Sequence, residues 1–129
     1  MSDVELQDVS FAQARRLKAL GFDWPTHTYY GIHGDISTRK YSFLSNHNAL
    51  SPMASSPTVA LALKWCRDEK GVICGVLYNA ARVTAGRNWF YSAFVNGDEK
   101  WAEGFSSYEE AESAMLDAVL GVLEKGALT

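Results

Sequence analysis

Apolar residues recur at helical spacing between residues 56 and 71. The stripe consists of Val59, Ala62, Leu63 and Cys66, with Trp65 beside them. Ser56 has a hydroxyl that can accept a hydrogen bond from the first turn, and Pro57 suits the first helical position. Gly71 suits the end of the helix. The pattern predicts a central core helix with Cys66 buried on its apolar face.

Two further helices are predicted near the ends of the chain. Ser10 followed by Gln13, and Ser107 followed by Glu110, have the spacing of a capping box. The apolar stripe of the first helix ends at Gly21. The stripe of the last helix is expected to consist of Ala111, Ala114, Met115, Ala118, Val122 and Leu123.

Strand-forming segments fill the rest of the second half. Residues 72–78 contain β-branched side chains and residues 88–95 are rich in aromatic ones, and residues 99–105 are predicted to form the third strand. Asn96-Gly97 between the last two predicts a tight hairpin turn. These segments indicate three consecutive antiparallel strands.

The first half contains a second pair of candidate strands. Residues 26–30 and 36–44 are predicted to form a hairpin, and residues 45–55 a loop. The element order is α-(ββ)-α-β-β-β-α, which predicts an α+β fold with an antiparallel meander and helices packed on one face. We expect one domain over residues 1–129, with residues 1–9 as a flexible arm.

Charge and composition exclude several classes of protein. The net charge is −3, but residues 65–129 hold six Lys/Arg and ten Asp/Glu, and there is no basic run. This argues against a nucleic-acid binder. The N-terminus lacks an export signal, no apolar run is long enough to span a membrane, and Cys66 and Cys74 are expected to be reduced. A cytoplasmic protein is predicted.

No motif predicts an enzyme, a cofactor or a metal. Phosphate-binding loops, dinucleotide fingerprints and nucleophile elbows are all missing from the sequence. His27, His33 and His47, even with Asp35, match no ligand spacing. No catalytic, cofactor-binding or metal-binding residue is therefore assigned.

Isolated reactive groups have structural interpretations. Cys66 lies on the apolar side of the central helix, where a buried thiol is expected rather than a nucleophile. Glu109, Glu110 and Glu112 fall at an exposed helix start, where capping and the helix dipole account for them.

Three segments together resemble a family of small, uncharacterised bacterial and phage-borne proteins of the type found in gut Bacteroidetes and their mobile elements. The segments are residues 10–22, residues 56–65, and the aromatic strand ending in residues 107–111. The resemblance covers roughly half of the chain and consists of helix caps and core stripes. It implies a host or phage cytoplasmic setting and no catalytic residues.

The order α-β-β-β-α over residues 57–125 also resembles a double-stranded-RNA-binding domain. That family has lysines at the start of its final helix, facing phosphates. Here Tyr108, Glu109 and Glu110 occupy those positions and Glu112 follows, so carboxylates would repel RNA. The resemblance is kept for topology, and RNA binding is rejected.

The aromatic strands carry the candidate site. Alternation places Trp89, Tyr91, Ala93 and Val95 on one face of their strand and Phe90, Ser92 and Phe94 on the other. Trp101 and Phe105 are expected to share a face of the last strand. Because both faces carry bulky side chains, the face that does not pack on the helices is expected to be covered. The cover could be the N-terminal hairpin, a dimer partner or a ligand. The candidate ligand or partner face consists of Tyr78, Arg82, Arg87, Trp89, Tyr91 and Trp101.

Two functions remain open at this point. The leading hypothesis is a non-enzymatic cytoplasmic interaction protein of a phage or mobile element. Its partner would be a protein, or a second copy bound through the aromatic face. The alternative is a protein that binds and sequesters a nucleotide signal of host defence, because aromatic rings near Arg82 and Arg87 can stack a base and neutralise a phosphate.

Overall fold

The computed structural model describes residues 7–26, 29–31, 48, 54–80 and 86–127. Within these residues the fold is α+β, as predicted, with three helices and two antiparallel sheets. The elements are α1 (Phe11–Ala19), β1 (Tyr29–Tyr30), β2 (Ala54–Ser55), α2 (Val59–Lys70), β3 (Ile73–Tyr78), β4 (Trp89–Val95), β5 (Asp98–Phe105) and α3 (Tyr108–Ala127). The chain divides into two compact units, residues 1–65 and 66–129. A single domain over the whole chain stays a prediction.

Helix α1 of the first unit has the predicted ends. The Gln13 amide donates to Ser10 Oγ at 3.1 Å, and the Ser10 amide donates to Gln13 Oε1 at 2.9 Å, which completes the capping box. After the last turn, the Phe22 amide donates to the Leu17 carbonyl at 3.0 Å, and both side chains are buried. The local sequence signals therefore determine this helix.

Strand β1 pairs with β2, with Tyr29 opposite Ser55 and Tyr30 opposite Ala54. Residues 54–55 were expected in a loop, so that part of the prediction is wrong. The predicted partner strand, residues 36–44, lies outside the described residues. The pairing joins segments that are distant in sequence, which local patterns do not reveal.

Residues 7–9, which the sequence assigns to a flexible arm, are held in place. The Val9 amide donates to the Pro57 carbonyl at 3.0 Å, and the Val59 amide donates to the Gln7 carbonyl at 2.7 Å. Asp8 forms an antiparallel bridge with Thr58, and Val9 is buried. The arm prediction is therefore wrong for these three residues, and residues 1–6 lie outside the described part.

The same pairing moves the start of α2. Because residues 57 and 58 and the Val59 amide pair with residues 7–9, the helix begins at Val59 rather than at Pro57. Its cap is Thr58, whose Oγ1 accepts from the Leu61 amide at 3.1 Å, and the prediction of Ser56 as the cap is wrong. The predicted stripe is confirmed, since all five of its side chains are buried.

The second unit contains the antiparallel sheet β3-β4-β5. Asn96 and Gly97 join β4 to β5 with φ of 51° and 84°, the two positive angles that a type I′ turn requires. Helix α3 contacts all three strands. Its cap is Ser107, whose Oγ accepts from the Glu110 amide at 3.1 Å, while the Glu110 carboxylate accepts from the Ser106 hydroxyl at 2.6 Å.

The predicted order α-β-β-β-α is present in α2, β3, β4, β5 and α3. Among the described residues, no helix combines the length and the apolar character needed to cross a membrane.

Candidate functional site

The sheet β3-β4-β5 presents two faces of different character. Directly paired residues on neighbouring strands project to the same side, so the register assigns each side chain to a face. The helix face carries Cys74, Val76, Tyr78, Trp89, Tyr91, Ala93, Val95, Lys100, Ala102 and Phe105. The open face carries Ile73, Gly75, Leu77, Phe90, Ser92, Phe94, Glu99, Trp101 and Glu103.

The helix face lies against α3. Trp89 packs edge-on against Tyr108 of that helix, with ring centroids 5.7 Å apart. Tyr91 is 8% exposed, and Ala93 and Val95 are fully buried. The predicted alternation along β4 is therefore confirmed, and the face that holds Trp89 and Tyr91 is the one that packs inside the unit.

A β-bulge changes which face the end of β5 presents. Trp89 pairs with Phe105, but its neighbour Phe90 pairs with Glu103, so Gly104 is the extra residue. Gly104 has φ of 91°, which a residue with a Cβ rarely adopts. The bulge brings Phe105 onto the helix face, 5.9 Å from the Tyr91 ring, while Trp101 stays on the open face. The prediction that Trp101 and Phe105 share a face is wrong.

The open face exposes large apolar side chains on all three strands. Ile73 is 71% exposed and Leu77 is 53% exposed on β3. Phe94 on β4 is 48% exposed and Trp101 on β5 is 61% exposed. Phe90 lies directly opposite Leu77 and is partly exposed. Single exposed apolar residues are common on protein surfaces, whereas a contiguous group marks an interaction surface.

Two small residues lie at the centre of the open face. Gly75, Ser92 and Trp101 form one cross-strand row, between the Ile73–Phe94 pair and the Leu77–Phe90 row. A Cβ built on Gly75 would have no atom within 4 Å. Small residues therefore occupy the middle of the open face on β3 and β4.

One edge of the open face is acidic. Glu99 pairs with Phe94, Glu103 pairs with Phe90, and both carboxylates are exposed on β5 on either side of Trp101. Two carboxylates therefore lie along the margin of an apolar surface.

The structure separates the residues of the predicted site. Tyr78 and Trp89 lie together on the helix face, with ring centroids 5.0 Å apart, and Tyr78 is exposed at its margin. Tyr91 is on the same face but buried, whereas Trp101 is on the opposite face.

The two arginines of the predicted site are a separate case. Arg87 is exposed just before β4, and Arg82 lies outside the described residues. The placement of the two arginines relative to the rings is therefore not tested, and nucleotide binding stays a prediction.

The open-face residues Ile73, Leu77, Phe90 and Phe94 were not among the predicted site residues. Their signal is present in the alternation of β3, where Ile73 and Leu77 share the parity opposite to Cys74. Because both sets contain bulky side chains, the sequence does not indicate which face a helix covers. The contacts of α3 answer that question.

The cysteines are free thiols in protected positions. Cys66 is buried as predicted, and burial raises its pKa to about 12. Burial also raises the pKa of Cys74, although the Arg67 guanidinium donates to its Sγ at 3.7 Å and acts in the opposite direction. Neither thiol is prepared to react as a thiolate at neutral pH.

Glu112 is buried, although the sequence places it at an exposed helix start. Burial raises the pKa of its carboxyl group, and the hydrogen bond with Tyr108 only partly opposes that effect. The other two glutamates of this group, Glu109 and Glu110, are exposed as expected. The prediction of exposed glutamates at the start of this helix is therefore wrong for Glu112 alone.

All three histidines lie outside the described residues. Among the residues that the structure does describe, no group of three or more His, Cys, Asp and Glu side chains converges as metal ligands would.

Comparisons of the chain with family models, with curated proteins and with solved structures give no match. The resemblance to small bacterial and phage-borne proteins stays a prediction. The exposed side chains of the sheet are the remaining observation that bears on function.

Proposed function

We propose that this chain is a non-enzymatic interaction protein whose open face binds a protein partner. The observation that carries the proposal is the exposure of Ile73, Leu77, Phe94 and Trp101 side by side on one face of the sheet. Covering such side chains removes apolar surface from water, at roughly 25 cal/mol per Å². We place the protein in the cytoplasm of a bacterium that carries a phage or mobile element, on the basis of the sequence resemblance.

The chemistry of the surface supports a binding role. Most of its side chains are aliphatic or aromatic, and its polar side chains are Ser92 at the centre and the two carboxylates at its margin. Trp is enriched among the residues that dominate binding energy at protein interfaces. A surface of this kind suits association better than proton transfer or covalent catalysis.

A variant that removes the surface without weakening the strands tests the proposal. The open-face variant combines Ile73→Thr, Phe94→Thr and Trp101→Thr, because threonine retains the strand preference that serine lacks. Each protein carries an affinity tag and is produced in the bacterial host, and bound proteins are quantified by mass spectrometry. We expect at least one protein that the wild-type chain enriches and the open-face variant loses.

The matched control replaces exposed residues elsewhere, in a Glu69→Lys/Glu109→Lys variant on α2 and α3, and it should retain the partner. Thermal unfolding of each variant verifies the fold. The proposal fails if wild type and open-face variant enrich the same proteins equally.

A further inference from the structure

The helix face shows what kind of element covers a sheet of this width. One helix, α3, contacts all three strands on that side. Three strands span about 10 Å between their outer members, and an α-helix with its side chains is about 10–12 Å wide. A single helix therefore matches the width of the open face as well.

The open face is poorly suited to a second copy of itself. Between Phe90 and Phe94 it extends about 14 Å along the strands, and it is about 10 Å wide. A stable dimer buries about 800 Å² on each partner, which is more than a face of these dimensions offers. Stacking two open faces about a twofold axis also places β5 over either β5 or β3 of the copy. The first arrangement sets Glu99 and Glu103 against like charges, and the second sets them against the apolar Ile73 and Leu77.

Charge selects among helical partners. Glu99 and Glu103 border the apolar rows on the β5 side, and residues 66–129 hold ten acidic against six basic residues. Lys or Arg beside the apolar stripe of a docking helix would lie against these carboxylates and hasten its association. An acidic helix would be repelled from the same edge.

We propose that the open face is a docking site for an amphipathic helix of another protein, with an apolar stripe and basic residues along one flank. The helix lies on the sheet opposite α3, with one large apolar side chain over the small residues Gly75 and Ser92 and with its basic flank along Glu99 and Glu103. The small area makes the complex weak and readily reversible. This inference rests on the proposed function and specifies the class of partner.

Three synthetic peptides of 18 residues serve as probes. The Leu/Lys peptide places leucines on one helical face and lysines elsewhere, the Leu/Glu peptide has the same pattern with the charge reversed, and the shuffled peptide scatters the leucines of the first. Binding is measured by the fluorescence anisotropy of dye-labelled peptide. We expect the wild-type chain to bind the Leu/Lys peptide, and the shuffled and Leu/Glu peptides at least about tenfold more weakly.

Protein variants then separate the two parts of the site. The open-face variant should bind the Leu/Lys peptide about tenfold more weakly or worse than wild type, because loss of aromatic anchors has an effect of this size at other interfaces. Glu99→Lys/Glu103→Lys should lower the affinity for the Leu/Lys peptide by roughly two- to tenfold, the range for two exposed charge pairs. The same double variant should also strengthen binding of the Leu/Glu peptide. Glu69→Lys/Glu109→Lys changes the net charge equally and should leave the Leu/Lys affinity within about twofold.

Four results would overturn the inference. Equal binding of the shuffled peptide, or an equal loss in the two charge variants, would show non-specific attraction to an acidic protein. Light scattering that gives a wild-type dimer and a monomeric open-face variant would assign the face to a second copy. If no peptide binds while the wild-type chain still enriches a partner through its open face, the proposed function is supported and the inference of a helical partner is rejected.

Discussion

The two faces of the sheet β3-β4-β5 are built from similar residues but have different surroundings. Tyr91 and Trp101 are both aromatic, yet Tyr91 is buried beneath α3 and Trp101 projects from the opposite face. The helix face supplies interior packing, so its aromatic side chains contribute to folding. The open face leaves comparable apolar surface in water, where it contributes little to folding.

The largest expected difference is between these two aromatic residues. Tyr91→Ala should destabilise the chain by about 3–5 kcal/mol, the range for removing a large buried ring. Trp101→Ala should cost about 1 kcal/mol or less, because a cross-strand neighbour at an exposed position contributes only that much. Urea unfolding of both variants gives the comparison. Similar losses would show that Trp101 packs against the chain and would break the distinction between the faces.

A pair of glycine substitutions sharpens the comparison at a smaller scale. Gly104→Ala should destabilise by about 1–2 kcal/mol, because the bulge that directs Phe105 to the helix face requires a positive φ. Gly75→Ala should instead stabilise by about 0.4–1 kcal/mol, since the open face has room for the methyl group and φ is not positive. Thermal unfolding measures both effects. A change of Tm in the same direction for both variants would contradict this assignment.

Glu112 makes the stability of the folded chain depend on pH. Its pKa is raised by burial above the ordinary value of 4.5, so the folded chain binds the proton more tightly than the unfolded chain does. Its contribution to stability is therefore present below that ordinary value and is lost as pH rises through the folded pKa.

Glu112→Gln should remove this loss, so the stability of the variant should fall less than that of wild type as pH increases. Urea midpoints between pH 4 and pH 8 test the sign. A wild-type stability that depends less on pH than that of the variant would contradict it.

Much of the fold could be predicted because its signals are local. The Ser10 capping box, the Asn96-Gly97 turn and the stripe of α2 each depend on residues a few positions apart, and each is present. The prediction of Ser56 as a cap failed because residues 7–9 pair with residues 57–59 and delay the helix. That pairing joins segments about 50 residues apart, which no local pattern indicates.

The candidate site was predicted only in outline. An aromatic sheet face with a free side was expected, but its members were chosen from both faces, with Tyr91 on one and Trp101 on the other. Two physical causes account for this. A residue inserted at Gly104 reverses the alternation of β5, and bulky residues on both faces hide which of them α3 covers.

The main distinction is that, in the part of the chain that the structure describes, the open face is exposed to solvent and the helix face packs against α3. Urea unfolding of the Ile73→Thr/Phe94→Thr/Trp101→Thr variant beside Tyr91→Ala tests it most directly. We predict that the three open-face substitutions together cost about 1–2 kcal/mol, less than the single buried ring. A loss by the triple variant equal to or larger than that of Tyr91→Ala would show that the open face is part of the core, and would contradict the account.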